Sequence, residues 1–120
     1  MLQTRPDLRV VAEAGDGLEA VQKAELQPDL IVLDIGLPNL NGLEAAKRIL
    51  QVAPGAKIIF FTSNNDRDVV RAALSAGAQG YVLKTDPARE LLTAVQKVLG
   101  GEHFFSSGIQ AYNSDETGEA

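Results

Sequence analysis

The chain has 120 residues, enough for one domain with a buried core, and its composition excludes several classes of protein. It has no cysteine, which excludes disulfide frameworks and thiolate metal sites. It has a single histidine, His103, which disfavours a histidine metal site. The net charge of −5 argues against a nucleic-acid surface, because phosphate binding requires concentrated lysine and arginine. No apolar stretch reaches membrane-spanning length and no signal peptide is evident, so we expect a soluble cytoplasmic protein.

Apolar periodicity and turn residues predict four strands that alternate with four helices. The predicted strands are residues 8–14, 30–33, 57–62 and 79–83. The predicted helices are residues 17–27, 43–52 and 67–76, and a last helix that begins at Asp86-Pro87 and ends at Gly100-Gly101. Parallel pairing with right-handed crossovers is the default for such a string. The sequence therefore predicts an α/β fold, a three-layer α/β/α sandwich around a parallel sheet.

The pattern changes after Gly101. Phe104-Phe105 precedes a run of serine, glycine, asparagine and acidic residues, which predicts a docking anchor followed by a frayed tail. We therefore expect one domain over residues 1–103 and a C-terminal anchor and tail over residues 104–120.

The stretch DLIVLDIGLPNLNG, residues 29–42, carries the strongest functional signal. Its apolar run predicts a buried strand, and Asp34 closes that strand. In an open parallel sheet, reactive groups lie beyond the carboxyl ends of the strands, which is where Asp34 falls. An aspartate at a strand end often only hydrogen-bonds loop amides, so Asp34 does not decide the function by itself.

Two further polar residues fall at the ends of the following strands, Thr62 and Lys84. In this topology, Asp34, Thr62 and Lys84 would converge on one edge of the sheet. An aspartate can attack a phosphoryl group to give an acyl phosphate, provided that cations stabilise the transferred charge. Lys84 offers a point charge and Thr62 a hydroxyl, although each residue taken singly is ordinary at its position.

An aspartate that ends a buried strand, followed by Pro38 four positions later and Gly42 eight positions later, resembles the phosphoacceptor segment of response regulator receiver domains. Receiver domains have a CheY-like, flavodoxin-like fold, and the resemblance covers roughly residues 4–103. The segments GYVLK, without a following proline, and RPDLRVVAEAGDG are most similar to receivers of LuxR/NarL-type transcriptional regulators. The resemblance implies a non-enzymatic response regulator of a two-component phosphorelay that receives its phosphoryl group from a sensor histidine kinase.

The resemblance also implies a role for each candidate site residue. Asp34 would be the phosphoacceptor, Thr62 the hydroxyl switch residue, Tyr81 the switch aromatic and Lys84 the phosphate-contacting lysine. Mg²⁺ would be held by Asp34 and the backbone carbonyl of Gly36. Rearrangement of Thr62 and Tyr81 would signal through the third helix, the fourth strand and the last helix.

The family pattern opens with a strand that ends in an acidic Mg²⁺-binding pair and with a first helix, and this chain starts after both. We therefore expect an N-terminally truncated receiver with weak or absent Mg²⁺ binding. The missing strand would lie between two strands that are present. Residues 8–14 could pair directly with residues 30–34, Phe104–Asn113 could insert between them, or a second chain could exchange a strand or helix. On that ground we predict a homodimer or exchanged oligomer, and without a helix-turn-helix after residue 103 we expect no direct DNA binding.

Other functions remain open at this stage. A receiver-like interaction module without phosphorylation, a pseudo-receiver, agrees with the missing acidic pair. The segment from Gly15 to Ala20 fits the dinucleotide-binding pattern G-x-G-x-x-A, and Asp34 lies 19 residues after Gly15, but Asp16 and Glu19 would face the pyrophosphate with negative charge. A haloacid-dehalogenase-like phosphohydrolase would require a second aspartate where Gly36 stands.

Overall fold

A computed structural model describes residues 10–11, 16–36 and 39–109 of the chain. Strands and helices alternate in the order β1 (Val10–Val11), α1 (Gly17–Ala24), β2 (Leu30–Leu33), α2 (Gly42–Val52), β3 (Lys57–Thr62), α3 (Arg67–Ser75), β4 (Gly80–Leu83), α4 (Arg89–Leu99) and β5 (Phe104–Phe105). The strands form one sheet in the order β1-β2-β3-β4-β5, and every neighbouring pair is parallel. The predicted α/β fold with a parallel sheet is confirmed.

The two faces of the sheet carry separate apolar clusters, because alternate residues of a strand point to opposite faces. On one face, β2, β3 and β4 pack against α1, α2 and α3 through side chains such as Ile31, Phe60 and Ile49. On the other face, the same strands pack against α4, with Ile59 and Val98 among the buried residues. Burial on both faces explains why these strands are continuous apolar runs. The helices on the two faces make three layers, as predicted.

Side-chain caps fix the starts of three helices. Asp16, Asn41 and Asp66 each accept a hydrogen bond from a backbone N–H in the first turn of α1, α2 and α3. The last helix differs, because it begins at Arg89 and has no side-chain cap. The predicted start at Asp86-Pro87 is two residues early: the Pro87 carbonyl accepts from the Glu90 N–H at 2.9 Å in the turn that leads into α4, and the Asp86 carboxylate accepts from the distant Gly108 N–H at 2.9 Å.

β1 lies directly beside β2, with Val10 opposite Leu30. Of the three arrangements predicted to replace the missing strand, the chain adopts direct pairing of the strands on either side of the gap. The other residues of the predicted strand 8–14 lie outside the described part of the chain. Insertion of Phe104–Asn113 at this position is wrong, because Phe104–Phe105 joins the opposite edge of the sheet, beside β4.

Residues 104–109 form a strap that is fastened to β4 and to the start of α4. Ser106 is buried, its N–H donates to the carbonyl of Tyr81 at 3.0 Å, and its Oγ accepts from the Leu83 N–H at 3.0 Å. Glu90 accepts from both the N–H and the hydroxyl of Ser107, at 2.8 and 2.6 Å. The strap is therefore held by hydrogen bonds to main chain and side chains alike.

In the part of the chain that the structure describes, no helix has both the length and the apolar character needed to cross a membrane.

Candidate functional site

The ends of three adjacent strands bring together the residues that the sequence singles out. Thr62 is the last residue of β3, and Asp34 and Lys84 directly follow β2 and β4. Lys84 Nζ lies 2.8 Å from Asp34 Oδ2, and the nearby Thr62 hydroxyl helps to lower the pKa of the Asp34 carboxyl. The Lys84 N–H donates to the Thr62 carbonyl at 2.9 Å, which fixes the ends of β3 and β4 relative to each other. The predicted convergence of these side chains is present in the structure.

The Asp34 carboxylate is held as an anion that remains open to solvent. Its Oδ1 accepts from the N–H of Gly36 at 3.1 Å, and 31% of its side chain is exposed. Partial burial opposes ionisation, but the hydrogen bonds from Lys84, Thr62 and Gly36 and the positive charge of Lys84 outweigh it and lower the pKa of Asp34. An ionised, accessible carboxylate is the form that can act as a nucleophile.

Lys84 supplies positive charge on one side of this carboxylate. Its ammonium lies 5.6 Å from the centre of the Phe61 ring, within the range of a cation–π contact. With 38% of its side chain exposed, Lys84 remains reachable by a molecule that approaches Asp34 from solvent. A carboxylate, an ammonium and a hydroxyl therefore share one open edge of the sheet.

Tyr81 is buried beneath the loop that connects β3 to α3. Its hydroxyl donates to the carbonyl of Asn64 at 2.6 Å, and the Asn64 N–H donates to Thr62 Oγ1 at 3.3 Å. Burial and the negative charges of Asp34 and Asp66 raise the pKa of Tyr81 to about 12, so its hydroxyl keeps its proton at neutral pH. Asn64 thus links the two residues that the sequence analysis assigns to switching.

Sequence reasoning missed the linking role of Asn64. The only signal available was its position in the loop directly after the strand that ends at Thr62. The bond to Tyr81 uses the main-chain carbonyl, which every residue type has, so the identity of residue 64 could not reveal it.

The donor set around Asp34 does not fit a tight Mg²⁺ site. Mg²⁺ prefers octahedral oxygen coordination with carboxylates and water. Among residues 10–11, 16–36 and 39–109, no group of three or more histidine, aspartate or glutamate side chains is placed to hold a metal ion. Asp34 Oδ2 is paired with Lys84, and Gly36 lies in an exposed turn where only its backbone carbonyl could contribute a ligand.

The start of α1 lacks the open space that a pyrophosphate would need. A Cβ atom on Gly17 would lie 1.8 Å from the carbonyl oxygen of Leu40, so Leu40 already occupies this space. The carboxylate of Asp16 accepts from the N–H of Glu19 and from the side chain of Asn39. Both features argue against the dinucleotide-binding alternative.

Comparison with known proteins agrees with the fold. A family model described as the response regulator receiver domain matches residues 1–96. The transcriptional regulatory protein LiaR of Bacillus subtilis is 41% identical over 109 residues, which are 90% of this chain and 52% of LiaR. The chain spans about half the length of the curated relatives it matches.

Solved structures show the same likeness. A LuxR-family two-component response regulator from Aurantimonas sp. superposes with a TM-score of 0.83 at 36% identity, covering 96% of this chain and 83% of that one. The receiver domain of the sensor histidine kinase PA1611 from Pseudomonas aeruginosa, solved with a magnesium ion in its active-site cleft, has a TM-score of 0.67 at 24% identity. The match covers 78% of this chain and 98% of the PA1611 receiver domain, and at this identity it shows a shared fold alone. These findings confirm the predicted CheY-like receiver fold, and the chain belongs to the response regulator receiver domain family of two-component systems.

Proposed function

We propose that this receiver domain accepts a phosphoryl group on Asp34 from a sensor histidine kinase and switches a partner surface in response. One observation carries the proposal: the Asp34 carboxylate is ionised and accessible, and it directly contacts the Lys84 ammonium. Receiver domains of response regulators partner with sensor histidine kinases, which makes a phosphohistidine the proposed donor.

In the proposed reaction, one carboxylate oxygen of Asp34 attacks the phosphorus of the phosphohistidine. A bond forms between that oxygen and phosphorus, the bond from phosphorus to the imidazole nitrogen breaks, and its electron pair leaves with the imidazole. The phosphoryl oxygens then bring negative charge close to Lys84 and Thr62. The Lys84 ammonium already contacts Asp34 and is suited to stabilise that charge, because it needs little reorganisation.

The proposed switch uses the hydrogen-bond chain from Thr62 through Asn64 to Tyr81. A Thr62 hydroxyl that turns towards a phosphoryl oxygen changes its contact with the Asn64 N–H, now 3.3 Å long. The carbonyl of the same Asn64 holds the Tyr81 hydroxyl, so a shift of this loop alters the position of Tyr81 and the start of α3. We place the switched surface on α3, β4 and α4, with the loop as the two-state element.

Intact mass spectrometry after incubation with acetyl phosphate tests the proposal, with and without Mg²⁺. The matched control is Asp34→Asn, which keeps the shape of the side chain and removes the nucleophilic carboxylate. We expect a single phosphoryl adduct on the parent and none on the variant. The absence of an adduct on either protein, in two folded samples, would refute phosphorylation and favour the pseudo-receiver, which signals without it.

A further inference from the structure

Asp16 makes hydrogen bonds in two directions from the start of α1. Its Oδ1 accepts from the N–H of Glu19 at 2.7 Å, which is the ordinary bond of a helix cap. Its Oδ2 accepts from the side-chain amide of Asn39 at 3.0 Å, across 23 positions of sequence. Asn39 belongs to the loop of residues 35–41 that follows Asp34, here called the acceptor loop. The cap of α1 is therefore also bonded to the acceptor loop.

The neighbouring residues of this contact touch through their main chains. A Cβ atom on Gly17 would lie 1.8 Å from the carbonyl oxygen of Leu40, so only glycine fits beside Leu40. Asn39 has a φ of 67°, in the left-handed region that asparagine tolerates better than most residues. Two consecutive loop residues, Asn39 and Leu40, are therefore held against the start of α1.

Both ends of the same loop are fixed next to the acceptor. The Gly36 N–H donates to Asp34 Oδ1, and the Gly42 N–H donates to the carbonyl of Ile35 at 2.8 Å. A Cβ atom on Gly42 would lie 2.2 Å from the Asp34 carbonyl oxygen, so α2 begins in direct contact with the acceptor main chain. The bond between Asp16 and Asn39 is therefore a third attachment of this loop, in addition to the two beside Asp34.

We propose that Asp16 and Asn39 are positioning residues for phosphoryl transfer. Their hydrogen bond holds the loop so that the Gly36 N–H continues to orient the Asp34 carboxylate towards an incoming phosphorus atom. The inference rests on the proposed function, because it concerns the rate of the same reaction. Displacements of about 1 Å at a reacting group cost up to about a hundredfold in rate, and loss of this single bond should cost about three- to tenfold.

The test compares labelling rates with acetyl phosphate for the parent and for two variants at position 39. Asn39→Gly removes the side-chain amide while it keeps the positive φ and the cap of α1, so it should slow labelling about three- to tenfold. Asn39→Asp sets a second carboxylate against Asp16 and should also slow labelling, because like charges repel.

Reversing the pair supplies the rescue. Asp16→Asn combined with Asn39→Asp restores one amide and one carboxylate, with the donor now on α1, and the side-chain oxygen at position 16 still caps the helix. We expect the double variant to label at the rate of the parent. If Asp16 is only a helix cap, Asn39→Gly will label like the parent and the reversal will rescue nothing, which would overturn the inference.

A second readout separates this inference from the proposed function. If the parent is not labelled at all, the proposed function fails, and hydrogen exchange at the Gly36 and Gly42 amides still tests whether the bond between Asp16 and Asn39 holds the loop. We expect faster exchange at both amides in unphosphorylated Asn39→Gly than in the parent. Unchanged exchange would overturn the positioning role, whatever the outcome of labelling.

Discussion

Replacing Lys84 with methionine removes the ammonium that faces Asp34 and keeps a side chain of similar length. Together with Asp34→Asn, this substitution defines a double-mutant cycle of four proteins. The charged atoms lie 2.8 Å apart, which in a water-like dielectric gives an attraction of about 1.5 kcal/mol. Because 38% of Lys84 and 31% of Asp34 are exposed, screening and lost side-chain freedom reduce the expected coupling to about 0.5–1 kcal/mol.

The coupling should depend on pH with a definite sign. The folded protein holds the pKa of Asp34 below its ordinary value of 3.8, so its contribution to stability is fully present above that value. It is lost as the pH falls through the lowered pKa and the carboxylate becomes neutral. The coupling between Asp34 and Lys84 should therefore be equal at about pH 7 and pH 5 and smaller at about pH 3.

Urea denaturation of the four proteins, followed by circular dichroism at each pH, measures the coupling. Equal dependence of the unfolding free energy on urea concentration across the set would show that the unfolded states are comparable. A coupling of zero at neutral pH, or one that does not change on acidification, would refute the view that Lys84 stabilises Asp34 as an anion.

The remaining predictions concern packing, switching, metal binding and assembly. Gly42→Ala should destabilise the fold by about 1–3 kcal/mol or prevent folding, because the new methyl group would meet the Asp34 carbonyl. Thermal unfolding measures this effect. Gly55→Ala is the control, because a Cβ atom on Gly55 would meet no atom within 4 Å. Tyr81→Phe should lower the free energy of unfolding by about 0.5–1.5 kcal/mol through loss of the bond to Asn64, and an unchanged urea midpoint would contradict this. Calorimetric titration with Mg²⁺ should show no saturable binding below about 1 mM, whereas a tight isotherm would show that the donor set is larger than Asp34 and Gly36. The predicted homodimer or exchanged oligomer is not required by the sheet, because β1 pairs directly with β2 within one chain; light scattering tests it, and a monomer at all concentrations would refute it.

The fold could be predicted from the sequence wherever buried elements show a local apolar pattern in the sequence. The strand Lys57–Thr62 has the predicted bounds because its apolar run is buried in the sheet. The meeting of Asp34, Thr62 and Lys84 followed from topology, since parallel strands present their carboxyl ends at one edge. A periodic pattern and one packing rule were enough for these features.

Features that depend on distant partners could not be predicted in this way. Asp86-Pro87 has the local form of a helix start, yet the Asp86 carboxylate is used by Gly108, 22 positions later in the chain. The bond between Asp16 and Asn39 spans 23 positions, and either residue is ordinary at a cap or in a turn. Local residue preferences do not predict such contacts, because the tertiary fold determines which distant residue lies next to the carboxylate.

The strap of residues 104–109 has a practical consequence for reporter design. Ser106 binds the carbonyl of Tyr81 and the N–H of Leu83, so the strap is anchored to the strand that leads directly into Lys84. A fluorophore at the exposed Ser107, next to Ser106, would therefore move with that strand. A probe at the exposed Gly101 would precede the residues that are bonded to this strand and would serve as the insensitive reference.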